Sequence, residues 1–245
     1  MKYLFIILAL CSLVLTSNDT YAQGKVTRKR TETSQSKPSS PILQVQPKET
    51  RGYLNGHEWV DLGLPSGTKW ATMNIGAYRS TDEGTYYAWG ETSTPNIIEE
   101  WYDGTKVPNY CRECCRLYGR TMGSISGTSF DVAQSKWGSG WILPEKQDIL
   151  ELAKYCNLEV VNVSGVDGYK ITGPNGNYIF FPCVAVCSGS LEPFKSIDTY
   201  SCYWIGTESD KDMGCLLHLD RMEIGTDGAN NKNVGYAVRA ITRIK

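Results

Sequence analysis

The residues of this chain that could carry chemistry are its cysteines, its two histidines and a set of carboxylates. The nine cysteines include Cys111-x-x-Cys114-Cys115 and Cys183-x-x-x-Cys187. Thiolates at such spacings can hold a tetrahedral zinc ion, and a Cys-x-x-Cys pair can cycle as a dithiol. No βαβ pattern surrounds Cys111 and Cys114, so the redox reading lacks its scaffold. His57 and His218 have no second ligand at metal spacing, and both are expected as ordinary strand residues, exposed or hydrogen-bonded. Asp210, Asp212, Asp220 and Asp227 offer hard oxygen ligands of the kind calcium takes. Asp210-Lys211-Asp212 nevertheless lacks the glycine-turned spacing of a defined calcium loop. Ser66, within Pro-Ser-Gly, is a turn residue without a nucleophile elbow. Glu99 and Glu100 are adjacent, so their side chains diverge on any regular element and cannot flank one scissile bond. Phosphate-cradling glycine motifs are absent. No catalytic residue, metal or cofactor is expected, with calcium on the acidic group the alternative to that reading and zinc on the cysteines opposed by an oxidising compartment.

Recognition chemistry is better supplied. Tyrosine and tryptophan give large contact areas at small entropy cost, and Asn, Ser and Gly add adaptable hydrogen bonds. Trp101, Tyr102, Tyr110, Tyr118, Tyr200 and Tyr203 are expected on loops. The stretch from Tyr200 to Asn233 combines both kinds of residue. Its candidate ligand-binding set is Tyr200, Tyr203, Glu208, Ser209, Asp210, Arg221, Asn230, Asn231 and Asn233. Trp204 is expected in the core of a strand, and the Asn230–Asn233 run in a turn that is also surface.

These groups must be positioned by a chain that begins with an export signal. Lys2 precedes the apolar run Tyr3 to Leu15, and Thr20-Tyr21-Ala22 places small residues where a signal peptidase reads them. A spanning helix needs about 20 apolar residues, so residues 1–22 read as a cleaved signal peptide. Lipidation at Cys11 is the alternative, opposed by bulky Leu10 before it. No transmembrane helix is expected in the mature chain, which is secreted, periplasmic or on the outer surface. Export places the eight remaining cysteines where disulfides are the default.

Residues 23–51 carry seven basic residues against Glu32 and Glu49 and hardly any bulky aliphatics. This is a flexible basic linker, solvated rather than bound to nucleic acid. From residue 52 onward 17 basic residues face 23 acidic ones, so an acidic domain hangs on a basic tether. Within it, Glu58–Leu62 and Thr68–Thr72 flank the turn Pro65-Ser66-Gly67. Tyr169–Thr172 and Asn177–Phe181 flank Gly173-Pro174-Asn175-Gly176, a hairpin signature. Cys202–Thr207, Leu216–Asp220 and Tyr236–Thr242 complete the strand candidates. One clear helix covers about 145–156, led by Pro144, with Ile149, Leu152, Ala153 and Cys156 on one face. A second short helix covers Asp131–Lys136. The pattern predicts an α+β fold with small twisted antiparallel sheets and long ordered loops.

Several motifs in order give this domain a resemblance. They are His57-Glu58-Trp59-Val60-Asp61-Leu62-Gly63-Leu64-Pro65-Ser66-Gly67-Thr68-Lys69-Trp70-Ala71-Thr72, then Tyr87-Ala88-Trp89-Gly90-Glu91, then Trp137-Gly138-Ser139-Gly140-Trp141-Ile142-Leu143-Pro144. Gly173-Pro174-Asn175-Gly176-Asn177 and Gly235-Tyr236-Ala237-Val238-Arg239 follow. Over residues 52–245 the chain resembles the Fibrobacter succinogenes major paralogous domain family of exported bacterial proteins. That resemblance implies a C-type-lectin-like fold, related to the formylglycine-generating enzymes. Those oxidases place a cysteine of their catalytic pair after the final arginine motif, where this chain has Ala240. The expected function is therefore an exported or cell-surface binding module for a glycan or protein ligand, not an enzyme. The alternatives are an oxidase with a displaced cysteine pair, or a structural subunit of an extracellular assembly.

Overall fold

Short apolar stretches cut by glycine and proline can form only short strands, and the described residues form fourteen of them with two helices. The structure, a computed structural model, describes residues 49–93, 97–102, 105–108, 115–184 and 200–244. The signal segment, the tether up to residue 48, Tyr110, Cys111, Cys114 and Cys187 lie outside the described residues.

In chain order the strands begin with β1 (Arg51–Leu54), β2 (His57–Asp61), β3 (Lys69–Ala71), β4 (Ile97–Tyr102) and β5 (Thr105–Pro108). Helix α1 (Val132–Trp137), β6 (Trp141–Ile142) and helix α2 (Lys146–Tyr155) follow. Next come β7 (Asn157–Val163), β8 (Val166–Thr172), β9 (Tyr178–Pro182), β10 (Tyr200–Glu208) and β11 (Met213–Asp220). The chain closes with β12 (Ile224–Gly225), β13 (Ala229–Asn231) and β14 (Ile241–Thr242). The strands pair into sheets in the orders β1-β2-β3-β14-β6, β7-β8-β9, β10-β11-β12 and β4-β5, with β13 added to β11. Every pairing between these strands is antiparallel. This is an α+β arrangement of small antiparallel sheets. Trp101 and Tyr102 stand on a strand, not a loop. Arg51, placed in the linker by its composition, opens β1.

Both expected helices are present, with caps that explain their positions. Asp131 caps α1, and one carboxylate accepts four backbone N–H groups: Gly127 (2.7 Å), Ala133 (2.8 Å), Leu143 (2.9 Å) and Gln134 (3.3 Å). It therefore serves the helix start and the incoming β6 loop together. Asp148, in the first turn of α2, accepts from the Glu145 N–H at 2.8 Å, and both its oxygens accept from Arg243 Nη2 at 2.9 Å.

The β10–β11 sheet lies between two apolar cores, and its strands alternate between them. Cys202, Trp204 and Leu216 enter one core with Trp59, Trp89, Trp137 and Trp141. Tyr203, Ile205, Cys215, Leu217 and Leu219 enter the other with Trp70, Tyr169, Ile171 and Phe181. Trp70, Trp89, Trp141 and Trp204 are fully buried, and each such side chain contributes on the order of 4 kcal/mol of burial free energy. The expected strand Tyr236–Thr242 shortens to β14. Residues ahead of it instead bond singly to separate segments: Trp204 N–H to the Ala237 carbonyl, Ile75 N–H to Val238 and Ala71 N–H to Ala240. Arg239 is wholly buried there, donating to Asn74 Oδ1 (2.8 Å) and the carbonyls of Ala71 and Phe180 (3.0 Å each).

Cys115, Cys156, Cys202 and Cys215 are free thiols in the structure. Cys202 and Cys215 cannot meet, since they face different cores from opposite sides of one sheet. Among the described residues, no helix is long and apolar enough to cross a membrane.

Candidate functional site

Strand β11 separates the candidate ligand-binding residues into two groups. Tyr200 pairs with Asp220 at one end of the β10–β11 ladder, and Glu208 pairs with Gly214 at the other. Met213 to Asp220 spans about 23 Å at the usual rise per residue. Tyr200 and Arg221 therefore stand at one end. Glu208, Ser209, Asp210, Asn230 and Asn231 stand at the other, where β13 pairs Asn231 with Met213. The calcium set divides in the same way, with Asp210 and Asp212 far from Asp220 and Asp227, so these four do not form one site.

The Glu208 end is consumed by structure. Glu208 Oε2 accepts from the backbone N–H groups of Met122 (2.8 Å) and Gly123 (2.6 Å), and Oε1 accepts from the Lys232 ammonium group at 2.5 Å. Burial alone would raise the Glu208 carboxyl, but the bonds from Lys232, Gly123 and Met122 outweigh it and hold the group below its ordinary value. Asp210 Oδ1 closes its own turn by accepting from Asp212 N–H (2.7 Å) and Met213 N–H (2.9 Å). Asn230 donates to the Tyr236 hydroxyl at 2.7 Å. Asn231 and Asn233 are half-buried, and Ser209 and Asp210 are exposed. Tyr203 is 1% exposed and its hydroxyl donates to the Pro182 carbonyl at 2.5 Å, so it offers no face to a ligand. The loop expectation for Tyr203 is corrected for a physical reason: β10 is buried on both faces.

The Tyr200 end is different. Here the β11–β12 hairpin turns through Asp220–Glu223, with His218 opposite Gly225 and Leu219 opposite Ile224. Asp220 Oδ1 accepts from the backbone N–H groups of Met222 (2.7 Å) and Glu223 (2.8 Å), which fixes the turn. Tyr200 is 42% exposed and lies stacked on the His218 ring, with centroids 5.9 Å apart and planes 21° from parallel. Burial pushes the Tyr200 phenol up, so it stays protonated across the neutral range. His218 Nε2 lies 3.3 Å from Glu223 Oε1, and Nδ1 lies 3.2 Å from Asp227 Oδ1. Gly225 is what lets the imidazole lie flat: a Cβ there would stand 2.1 Å from the ring. Arg221 and Met222 project from the turn, with Met222 almost fully exposed.

The result is an aromatic plate held on a rigid strand, bordered by three carboxylates and one arginine. Such a surface can stack on an apolar ring face and accept hydrogen bonds from hydroxyl groups around it. Sequence reasoning set His218 aside because its partners are not adjacent in the chain. A signal was available: His218 and Asp220 share a strand face at period two, and a four-residue turn brings Glu223 back beside them. His57, by contrast, is the ordinary strand residue expected, stacked on Trp137 with centroids 4.0 Å apart. A separate shallow groove of about 270 Å³ lies along Arg51, Glu58, Thr72, Ser80 and Tyr178. It holds Tyr178, Phe180 and an Arg51–Glu58 ion pair of 3.4 Å.

Comparison of the chain with models of known families, with curated proteins and with solved structures gave no match.

Proposed function

We propose that this protein is an exported, non-covalent binding module of C-type-lectin-like architecture that recognises a glycan through the face around Tyr200. The observation that carries this reading is the exposed Tyr200 ring stacked on His218 with Asp220, Glu223 and Asp227 around it. Sugar rings present CH faces to an aromatic plate and hydroxyl donors to carboxylates, and hydrogen bonds to charged acceptors are about twice as strong as neutral ones. The plate is preorganised on β10, so little ordering entropy opposes binding. Met222, 89% exposed at the hairpin tip, favours a protein ligand as the second reading.

The oxidase alternative is less well supported. Cys202 and Cys215 face different cores, and burial pushes the Cys202 thiol up to about 11 and the Cys215 thiol upward as well. A nucleophilic or copper-binding thiol needs the opposite shift. Copper-dependent oxygen consumption with a thiol peptide is therefore expected to be nil, and a turnover signal would favour the oxidase.

The direct test is an array of bacterial and host glycans probed with wild-type protein and with Tyr200→Ala. The reading predicts saturable binding that weakens by about 10-fold or more in the variant, in line with loss of one aromatic contact. Tyr178→Ala, in the other groove, leaves binding unchanged. Equal binding by wild type and Tyr200→Ala would contradict the assignment of this face.

A further inference from the structure

We propose that the groove beside β9 is a second binding site, which takes an extended peptide segment of a partner protein as an added strand. Strand β9 is an edge of its sheet and pairs with β8 alone. The turn before it fixes which of its groups point outward. Gly173 N–H bonds to the Asn177 carbonyl, so the hydrogen-bonded pairs recur at Ile171–Ile179 and Tyr169–Phe181. The main-chain groups of Tyr178, Phe180 and Pro182 therefore face away from β8. Two of these are already spent: the Pro182 carbonyl accepts from the Tyr203 hydroxyl, and the Phe180 carbonyl from Arg239 Nη2. Among the described residues, no hydrogen bond reaches the Tyr178 N–H, the Tyr178 carbonyl or the Phe180 N–H. Both residues stand in the wall of the groove, so two donors and one acceptor border it.

The opposite wall supplies an independent observation. Arg239 donates to the Ala71 and Phe180 carbonyls alike, at 3.0 Å each, which sets the chain after Ala71 across from this open edge. Thr72 lines the groove there, and its buried hydroxyl has no hydrogen-bond partner. An unpaired buried hydroxyl is destabilising until something in the groove bonds to it.

These groups select the occupant. Outward N–H and C=O groups on alternate residues are what one strand offers another, and a peptide main chain answers them whatever its side chains. A sugar chain has no such alternation, which separates the ligand of this groove from that of the Tyr200 face. The groove of about 270 Å³ holds a short stretch, and Arg239 ends the ladder after three bonds. Charge complementarity favours a stretch without net charge, because Arg51 is paired with Glu58 at 3.4 Å and Lys170 with Glu159 at 3.2 Å. Tyr178 is 48% exposed, with the Lys170 ammonium group over its ring at 5.3 Å. Its ring is placed to cover a side chain of the incoming strand.

The experiment screens the full secreted chain against an array of synthetic seven-residue peptides and titrates the tightest binder by fluorescence anisotropy. The expected result is saturable binding that is nearly independent of salt, with the Tyr178 and Phe180 amides protected from hydrogen exchange in the complex. Proline is tolerated on an open strand edge, so Tyr178→Pro removes one donor and spares the β8 ladder. It should bind about 10-fold more weakly than Tyr178→Ala, which loses the ring alone. Thr72→Val is expected to melt like wild type and to bind the peptide more weakly. N-methylation of alternate peptide residues should abolish binding in one phase and preserve it in the other. That comparison needs no variant of the protein, so it decides the question even where Tyr178→Pro fails to fold. Absence of any saturable peptide, equal binding by folded Tyr178→Pro and Tyr178→Ala, or equal effects of the two methylation phases would each overturn the site. Glycan binding stays at the wild-type level in Tyr178→Ala, so the groove and the Tyr200 face stand or fall separately.

Discussion

Lys232 has no exposed side-chain surface, and its ammonium group sits over the Trp89 ring at 4.7 Å. It donates to the carbonyls of Arg120 (2.8 Å) and Lys211 (2.9 Å) and to Glu208, with Leu117 O at 3.4 Å. One cation thus ties the loop holding Leu117 and Arg120 to Glu208 and Lys211 at the end of the β10–β11 hairpin. Removing one partner of a buried ion pair leaves the other charge uncompensated, at a cost of about 3–5 kcal/mol. Glu208→Gln is predicted to lower stability by that order at neutral pH, read by urea unfolding. The pH dependence has a definite sign. The folded Glu208 carboxyl lies below its ordinary value of 4.5. The pair therefore contributes fully above that value and loses its contribution as pH falls through the lower folded value. The difference between wild type and Glu208→Gln should shrink below pH 4.5, and a constant difference would contradict this assignment. Nothing in the local sequence Asn230-Asn231-Lys232-Asn233 distinguishes this lysine from a solvated loop residue. Its partners are 21 or more residues away, and only the folded chain brings them to it.

At the scale of elements, the hairpins and helices followed from turn chemistry and caps. Gly173-Pro174-Asn175-Gly176 does join β8 to β9, and Pro65-Ser66-Gly67 does join β2 to β3. Helix α2 starts at Lys146 behind a capping box of Glu145 and Asp148, with Pro144 outside the helix rather than in its first turn. Strand β10 was legible as a strand but not as one buried on both faces. A doubly buried strand loses the period-two alternation that marks an exposed side, so Tyr203 resembled a recognition residue. Strand β7 went unread because its exposure pattern carries no apolar face. Asp131 offers a sharp test of the cap argument. Asp131→Ala removes the acceptor for four backbone N–H groups, not the usual one or two. It should cost about 3 kcal/mol or more, above the roughly 1 kcal/mol of an ordinary cap. A loss near 1 kcal/mol in chemical denaturation would show that water replaces the carboxylate.

For the molecule as a whole, the described residues from 49 to 244 form one compact unit, with the β10–β11 sheet buried between two cores. Such a construction leaves the strand ends and hairpin turns as the surfaces available for recognition, and of the two ends of the β10–β11 ladder the Tyr200 end carries the exposed aromatic ring. The α+β class was readable from the short strands and punctuating glycines. The division of the candidate site was not, because it depends on the length of β11 and on which partners occupy each end. Export enters as a processing prediction: amino-terminal sequencing of the secreted protein should begin at Gln23. A chain retaining Cys11 as a lipidated terminus would contradict it. The central claim is that the Tyr200 end binds ligand while the Glu208 end holds the fold. Its most direct measurement compares glycan-array binding by wild type, Tyr200→Ala and Ser209→Ala under identical conditions. The account predicts saturable binding that is lost with Tyr200→Ala and kept with Ser209→Ala. Binding kept with Tyr200→Ala but lost with Ser209→Ala would contradict it.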